Sequence, residues 1–306
     1  MLPTWAWIPI VIGAALAQTL RNTLQRSLTA SAGTLGATLV RFLYGLPVAA
    51  LWVGVLYGWP GFSYAVPAFT GTYFAWVLLG ATAQIAATAF LLAAMKERNF
   101  IMAVTYSKTE VLQVAVFAAL FLHELPSALV LAAIVMATVG VLMISMPRAR
   151  PGAPDGPTAW GGRAIFYGLA SGAMFAFSAV GYRGASLTLG DTPAWLCGAW
   201  GVLWAQIIQS ILLGGWIATR SPQTLGVIFR AWRISTLAGA AGAIASICWF
   251  TAFALQTAAQ VRALGMVEVL FSYLVSRRLL KEKLGVMEQV GLALVAVGLV
   301  VVCAGL

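Results

Sequence analysis

Two glutamates of this sequence, Glu110 and Glu268, each lie near the middle of a long apolar run. A carboxylate at the centre of a bilayer costs about 2.5–3.5 kcal/mol on insertion scales, so such acids usually face a water-filled cavity or a partner. Because a poorly solvated carboxylate can bind and release a proton near physiological pH, both residues are candidates for proton coupling. The alternative is that each glutamate bonds a neighbouring helix and only clamps the fold.

Helical spacing places further polar side chains on the two glutamate faces. Tyr106 and Gln113 share a face with Glu110, and Ser272 shares a face with Glu268. Both faces are polar enough to line a cavity. The substrate-binding residues predicted on these faces are Tyr106, Glu110, Gln113, Glu268 and Ser272.

Lys108 is a charged residue that the second glutamate segment does not reproduce. It lies two residues before Glu110, a spacing that points the two side chains in nearly opposite directions on a helix. The residue 158 positions later is Met266. A cation at this depth can bind an anionic group, which makes Lys108 a candidate for substrate choice. A pair with an acid on another helix is the alternative.

Trp200 and Trp204 are four residues apart in the middle of another apolar run, with Trp195 and Trp216 toward its ends. The outer pair is typical of an interfacial aromatic belt. The inner pair can stack a planar or cationic ligand, since a Trp face attracts cations by roughly 0.5–2 kcal/mol. Trp200 and Trp204 are therefore candidate substrate-binding residues, with packing in the core or against lipid as the alternative.

The segments that carry the two glutamates repeat. Each glutamate is followed fourteen positions later by another acid, Glu124 or Glu282, and the same offset of 158 residues carries Gly140 onto Gly298. The second acids fall in tight turns, where we expect helix-end salt bridges. Internal duplication in an apolar chain is typical of transporters, whose substrate and coupling-ion sites lie at mid-membrane between the repeats.

Composition identifies the class of protein that must position these residues. The chain is 61% hydrophobic and only 8% charged, whereas soluble proteins average about 25% charged residues. We therefore expect an all-α integral membrane protein, multi-pass in the cell's inner (plasma) membrane. Division into spans of roughly 20 apolar residues predicts ten transmembrane helices, over residues 5–25, 36–57, 72–95, 100–122, 127–146, 163–182, 193–218, 235–256, 261–280 and 285–305.

Ten spans divide into two halves of five. Because five is odd, the second half must enter the membrane in the opposite orientation, which predicts two inverted five-helix repeats at residues 1–147 and 163–306. The segment 148–162 between them is rich in proline and glycine and reads as a linker. The three cysteines lie inside apolar spans and indicate neither disulfides nor a metal site.

Positive charge is distributed unevenly along the chain. Fourteen of the eighteen Lys and Arg residues lie in the connections after odd-numbered spans, and only Arg183 and Arg262 lie in the others. The positive-inside rule then places the odd connections in the cytoplasm and both termini outside. Arg21 and Arg41 lie near helix ends, where long cationic side chains reach phospholipid headgroups. Gln18, Asn22 and Gln25 accompany Arg21 on a polar stripe, which leaves a cytoplasmic vestibule as the alternative.

The end of each repeat resembles the EamA-type members of the drug/metabolite transporter superfamily. It has an apolar helix with a central glutamate, a tight turn with a second one, and a glycine-spaced final helix that includes Gly140 or Gly298. Arg41, in Leu39-Val40-Arg41-Phe42-Leu43, is similar to the family's arginine near the start of its second helix. Many relatives have proline after the central glutamate, where this chain has Val111 and Val269.

Together with the duplication, the resemblance implies a secondary transporter, an exporter of small organic metabolites such as amino acids or amines. Two inverted halves would alternate access around a central cavity. Its partners would be the substrate, membrane lipid and protons, with no cofactor, no metal and no nucleic acid. A polytopic enzyme acting on lipids is an alternative, but the single histidine, His123, lies in a turn and no acidic pair is close in sequence. A channel is the third interpretation, and the sequence has no segment typical of a selectivity filter.

Overall fold

The computed structural model describes residues 3–61, 63–95, 106–145, 162–271 and 285–305. All regular structure in this part of the chain is helical. The helices are α1 (Trp7–Leu43), α2 (Leu46–Gly58), α3 (Gly71–Met95), α4 (Glu110–Leu122), α5 (Ala128–Ser145), α6 (Gly162–Leu187), α7 (Ala194–Arg220), α8 (Pro222–Arg230), α9 (Trp232–Leu255), α10 (Ala258–Gly265) and α11 (Val286–Ala304).

Seven helical segments in the described ranges are long and apolar enough to cross a membrane, and α4 is a shorter apolar helix. Many large apolar side chains on their outer surfaces are exposed, including Leu51, Ile211, Leu237 and Val300 at 60–67%. A soluble protein rarely exposes so much apolar surface, whereas a bilayer solvates it. The chain is therefore an all-helical, multi-pass membrane protein. The count of ten spans stays a prediction, because the fourth and ninth expected spans are described only in part.

Helix α1 consists of two helical stretches that meet at a kink at Gly33, where φ is 68° and ψ is 175°. The kink lies in the connection expected between the first two spans, at 5–25 and 36–57. Glycine adopts this positive φ without a Cβ clash, so the chain changes direction there without leaving a loop. A turn at Tyr44 and Gly45 then leads into α2, where Pro47 occupies the first turn.

Three helix pairs make the most extensive contacts: α1 with α9, α3 with α6, and α5 with α11. The last pair crosses through glycine. A Cβ atom added at Gly140 would lie 2.5 Å from the carbonyl oxygen of Gly291, and one at Gly298 would lie 2.9 Å from that of Ala133. Small residues allow such close backbone approach where lipid supplies no hydrophobic drive between helices.

The connection between α7 and α9 contains a short helix that the span prediction left as a loop. In α8, Ile228 is fully buried against α1 residues such as Leu28 and Leu39, while Arg230 is exposed. The Ile228 carbonyl accepts hydrogen bonds from Tyr44 and Ser235. An amphipathic helix of this kind suits a membrane interface, and it ties the bend of α1 to α9.

Candidate functional site

Two adjoining cavities, each of about 50 Å³, lie between the helices of the two halves. Gln18, Glu110, Trp249 and Arg262 line both of them. Polar and charged side chains line most of the first cavity and about half of the second, although the surrounding helices are apolar. The cavities therefore bring together most of the charged residues found inside the helix bundle in the described part of the chain.

Glu110 forms an ion pair with Arg262 of α10. Glu110 is the first residue of α4, where the helix dipole favours an acid. The Arg262 guanidinium also lies over the Trp249 ring, 5.1 Å from its centroid. With side chains 12% and 23% exposed, the two residues form a largely desolvated pair that joins the halves of the chain.

Glu268 accepts hydrogen bonds from two neutral amides of α1. Gln18 donates its Nε2 at 2.6 Å and Asn22 donates its Nδ2 at 3.1 Å. The Gln18 amide is itself oriented by Trp249, whose Nε1 donates to Gln18 Oε1 at 3.1 Å. Trp249 therefore contacts the hydrogen-bonding groups of both glutamates.

Each glutamate follows an interruption of its helix at an equivalent position. Residues 108 and 109 form a turn before Glu110, and Met266 forms a turn before a further helical stretch over 267–271. The turns at Lys108 and Met266 are 158 residues apart. Broken helices at membrane depth occur where the backbone is buried in protein or lines a cavity. Here both breaks line the second cavity.

Lys108 lines the second cavity together with Glu110 and Glu268 and is exposed. Its counterpart Met266 lines the same cavity and is buried. No hydrogen bond or ion pair joins Lys108 to an acid in the described part of the chain. The structure therefore brings three of the predicted site residues, Lys108, Glu110 and Glu268, into one cavity.

Other predicted site residues lie elsewhere. Gln113 donates to Thr109 Oγ1 at 3.0 Å, and its Oε1 is buried without a partner among the described residues. Tyr106 is half-buried, and its carbonyl accepts from the Thr109 hydroxyl at 2.7 Å. Neither lines the two cavities in this conformation. Ser272 and Glu282 are outside the described residues.

Trp200 and Trp204 belong to a separate aromatic cluster. The Trp200 indole N–H donates to the Tyr57 hydroxyl at 3.2 Å, and both tryptophan rings pack edge-on against Phe69. Trp204 also packs against Phe74, with ring centroids 5.1 Å apart. The cluster joins α7 to α3 and to the segment before it, and neither tryptophan lines the glutamate cavities.

Three arginines line the cavities although the sequence interpretation did not count them among the site residues. Arg21 was expected at phospholipid headgroups, but it is only 7% exposed and lines the first cavity with Arg41. That expectation was wrong because the α1–α9 contact encloses this part of α1. The polar stripe of Gln18, Arg21 and Asn22 was the sequence signal that pointed inward. Arg262, assigned to a connection, reaches Glu110.

The other ion pair between described residues supports a helix junction. Glu124 pairs with Arg183 of α6 at 2.7 Å, and Arg183 also donates to the Phe253 carbonyl at 2.7 Å. The salt bridge expected for Glu124 is therefore confirmed. It links the α4–α5 turn to α6 and α9.

No protein-family model matches the chain, and no curated protein matches it. Among solved structures 27 chains match. One of them, a protein solved by crystallography, aligns with a TM-score of 0.70 and 17% sequence identity over 97% of this chain and 96% of its own. A likeness at this level of identity shows that the fold is shared across nearly the whole length of both chains.

Proposed function

We propose that this protein is a secondary transporter of the EamA type, in the cell's inner membrane, that exports small organic metabolites such as amino acids or amines. The observation that carries the proposal is the polar cavity at which Glu110 and Glu268 meet after equivalent helix breaks. Acids buried at membrane depth in contact with a cavity are typical of substrate and proton pathways.

The helix contacts support two inverted repeats of five helices. Shifting by 158 residues turns Gly140 into Gly298 and Gly291 into Ala133, so the contact of Gly140 with Gly291 becomes the contact of Gly298 with Ala133. The α1–α9 and α3–α6 pairs likewise exchange when the halves are exchanged. Two halves that pack reciprocally can rock against each other around a fixed central site.

The size of the cavities supports alternating access. Binding sites for small molecules usually measure about 300–1,000 Å³, whereas each cavity here is about 50 Å³. A whole metabolite therefore needs the helices to separate. The ion pair of Glu110 with Arg262 bridges the halves and would have to rearrange as the cavity opens, which gives the substrate a means of driving the change.

The test is transport by the purified protein in proteoliposomes. A growth-resistance and uptake screen over amino acids and amines, in cells that overproduce the chain, first selects a radiolabelled substrate. Preloaded vesicles should then show saturable counter-transport that requires unlabelled substrate on the opposite side. Protein-free vesicles of the same lipid are the control. Flux that never saturates would indicate a channel, and a chemically altered product would indicate an enzyme.

A further inference from the structure

The walls of the two cavities carry unbalanced charge. Four cationic residues and two acidic residues line them, which leaves an excess of two positive charges; these residues are Arg21, Arg41, Lys108, Arg262, Glu110 and Glu268. Buried charges are costly unless they are paired. Arg262 is paired with Glu110, so the excess rests on the other three cations.

Arg21 and Arg41 meet beside Gly242 of α9. A Cβ atom added to Gly242 would lie 3.2 Å from Arg21 Cδ and 3.2 Å from Arg41 Cγ. The glycine therefore leaves room for two arginine stems side by side. Both residues line the first cavity, and two like charges in one cavity repel each other.

Neither arginine forms an ion pair with an acid in the ranges that the structure describes. Arg21 uses Nε and Nη2 to bond one neutral acceptor, Asn22 Oδ1, at 3.2 and 2.7 Å. The Nε of Arg41 is buried without an acceptor, and the guanidinium contacts the Phe42 ring face. An arginine has five N–H donors, so most donors of this pair have no acceptor among the described residues and can bind an anion.

We infer that Arg21 and Arg41 form an anion-binding subsite that takes the carboxylate group of the transported metabolite. That the bound metabolite is transported rests on the proposed function, whereas the binding of its carboxylate by the two arginines does not. Guanidinium groups bind carboxylates with paired, charge-assisted hydrogen bonds. A cavity of about 50 Å³ has room for such a head group and not for a whole metabolite, so the remainder must extend toward Glu268 and Lys108 as the site opens.

The experiment measures anion binding by the full-length protein in nanodiscs of phosphatidylcholine alone. Acetate is the probe because it is a bare carboxylate, acetamide is its neutral counterpart, and potassium chloride, which has no carboxylate, keeps the ionic strength constant. A ligand that binds the folded state raises the unfolding temperature with concentration. We expect acetate to do so in a saturable manner and acetamide to have no effect.

The variants assign the binding to the pair. Arg21→Gln and Arg41→Gln should weaken the acetate affinity by about 10- to 100-fold, the usual loss of one charged hydrogen bond. If Arg21→Gln fails to fold, Arg41→Lys takes its place in the test. It keeps the positive charge and should still bind acetate. Arg220→Gln removes an exposed arginine at the end of α7 and should bind as the wild type does.

Three results would overturn the assignment. The first is an unfolding temperature of the wild type that acetate does not change, and the second is a shift in Arg41→Gln as large as in the wild type. The third is stabilisation by phosphatidylglycerol in the nanodisc that depends on the same arginines and abolishes the acetate response, which would identify a lipid headgroup as the anion. Saturable counter-transport alongside any of these would leave the proposed function intact. Acetate binding without any transport would support the anion-binding subsite and contradict the proposed transport function.

Discussion

Glu110 and Glu268 stand at equivalent places, 158 residues apart and each after a helix break, but their partners differ. Glu110 is paired with the guanidinium of Arg262, whereas Glu268 is bonded by the amides of Gln18 and Asn22. Protonation of Glu110 would leave Arg262 without its counter-charge. Loss of charge at Glu268 would weaken hydrogen bonds from neutral amides and break no ion pair among the described residues. The two glutamates therefore hold different contacts: Glu110 joins α4 to α10, and Glu268 holds the amides of α1. Under the proposed function we expect Glu268 to be the glutamate that carries the proton.

The largest effect is expected from unpairing Arg262. Glu110→Gln leaves a largely buried cation alone, a change that costs about 3 kcal/mol of unfolding free energy. The double variant Glu110→Gln/Arg262→Gln should recover most of that loss, because it removes both charges. Glu268→Gln keeps an oxygen for one of the two amides of α1 and turns an NH2 group toward the other, so it should cost about 1–2 kcal/mol. Thermal unfolding in one detergent measures all three. Equal losses for the two single glutamine variants would mean that the glutamates are equivalent after all.

Transport at different pH values separates the two glutamates further. Exchange of one proton per substrate gives about a tenfold accumulation per unit of pH gradient, since each pH unit is worth about 1.4 kcal/mol. Glu268→Gln should abolish this dependence in proteoliposomes and still exchange substrate in counter-transport. Glu110→Gln should transport more slowly and keep the dependence. If both variants keep the wild-type pH response, the glutamates are clamps and the proton pathway lies elsewhere.

The asymmetry between Lys108 and Met266 is expected to have a smaller effect. Lys108 is exposed at the second cavity, and exposed charge pairs contribute about 0.2–1 kcal/mol. Lys108→Met should therefore weaken binding of a carboxylate-bearing substrate by roughly twofold to fivefold, and of its decarboxylated amine analogue by less. Competition by both compounds in proteoliposomes gives the two values. Equal losses would indicate that Lys108 supports the fold or the transport cycle.

Trp200 provides a reference from outside the glutamate site. Trp200→Phe keeps the aromatic packing against Phe69 and removes the hydrogen bond to Tyr57, which should cost about 0.5–1.5 kcal/mol of stability. Substrate affinity should stay at the wild-type value, because the tryptophan lines neither cavity. Trp249→Phe, which changes a residue that lines both cavities, is measured for comparison. A clear loss of substrate affinity in Trp200→Phe would show that the aromatic cluster enters the substrate path in another conformation.

The sequence predicted the class of the protein, most of its helices and the meeting of Lys108, Glu110 and Glu268. These depend on apolar length and on repetition, which are local properties of the chain. It did not predict the partners of the glutamates. Arg262 is 152 residues from Glu110, and Gln18 is 250 residues from Glu268, so the pairs depend on how distant helices are rotated against each other. Helical spacing gives the depth and the face of a residue, but not the helix that this face will contact.

The reciprocal crossing of α5 and α11 has a consequence for how this chain can vary. Gly140 contacts Gly291, and the residues at the equivalent positions, Gly298 and Ala133, contact each other in the same way. Such reciprocal contacts have the form of a self-complementary interface between two identical subunits. In such an interface one substitution acts at both ends of the contact. Under the proposed inverted repeat, joining the two units in a single chain releases each position to change alone. The crossing has small residues on both sides, because a Cβ atom at Gly140, Gly291 or Gly298 would lie within 3 Å of a backbone carbonyl oxygen of the other helix. The lining of the glutamate cavity, with Lys108 opposite Met266, has no such constraint and differs between the two halves.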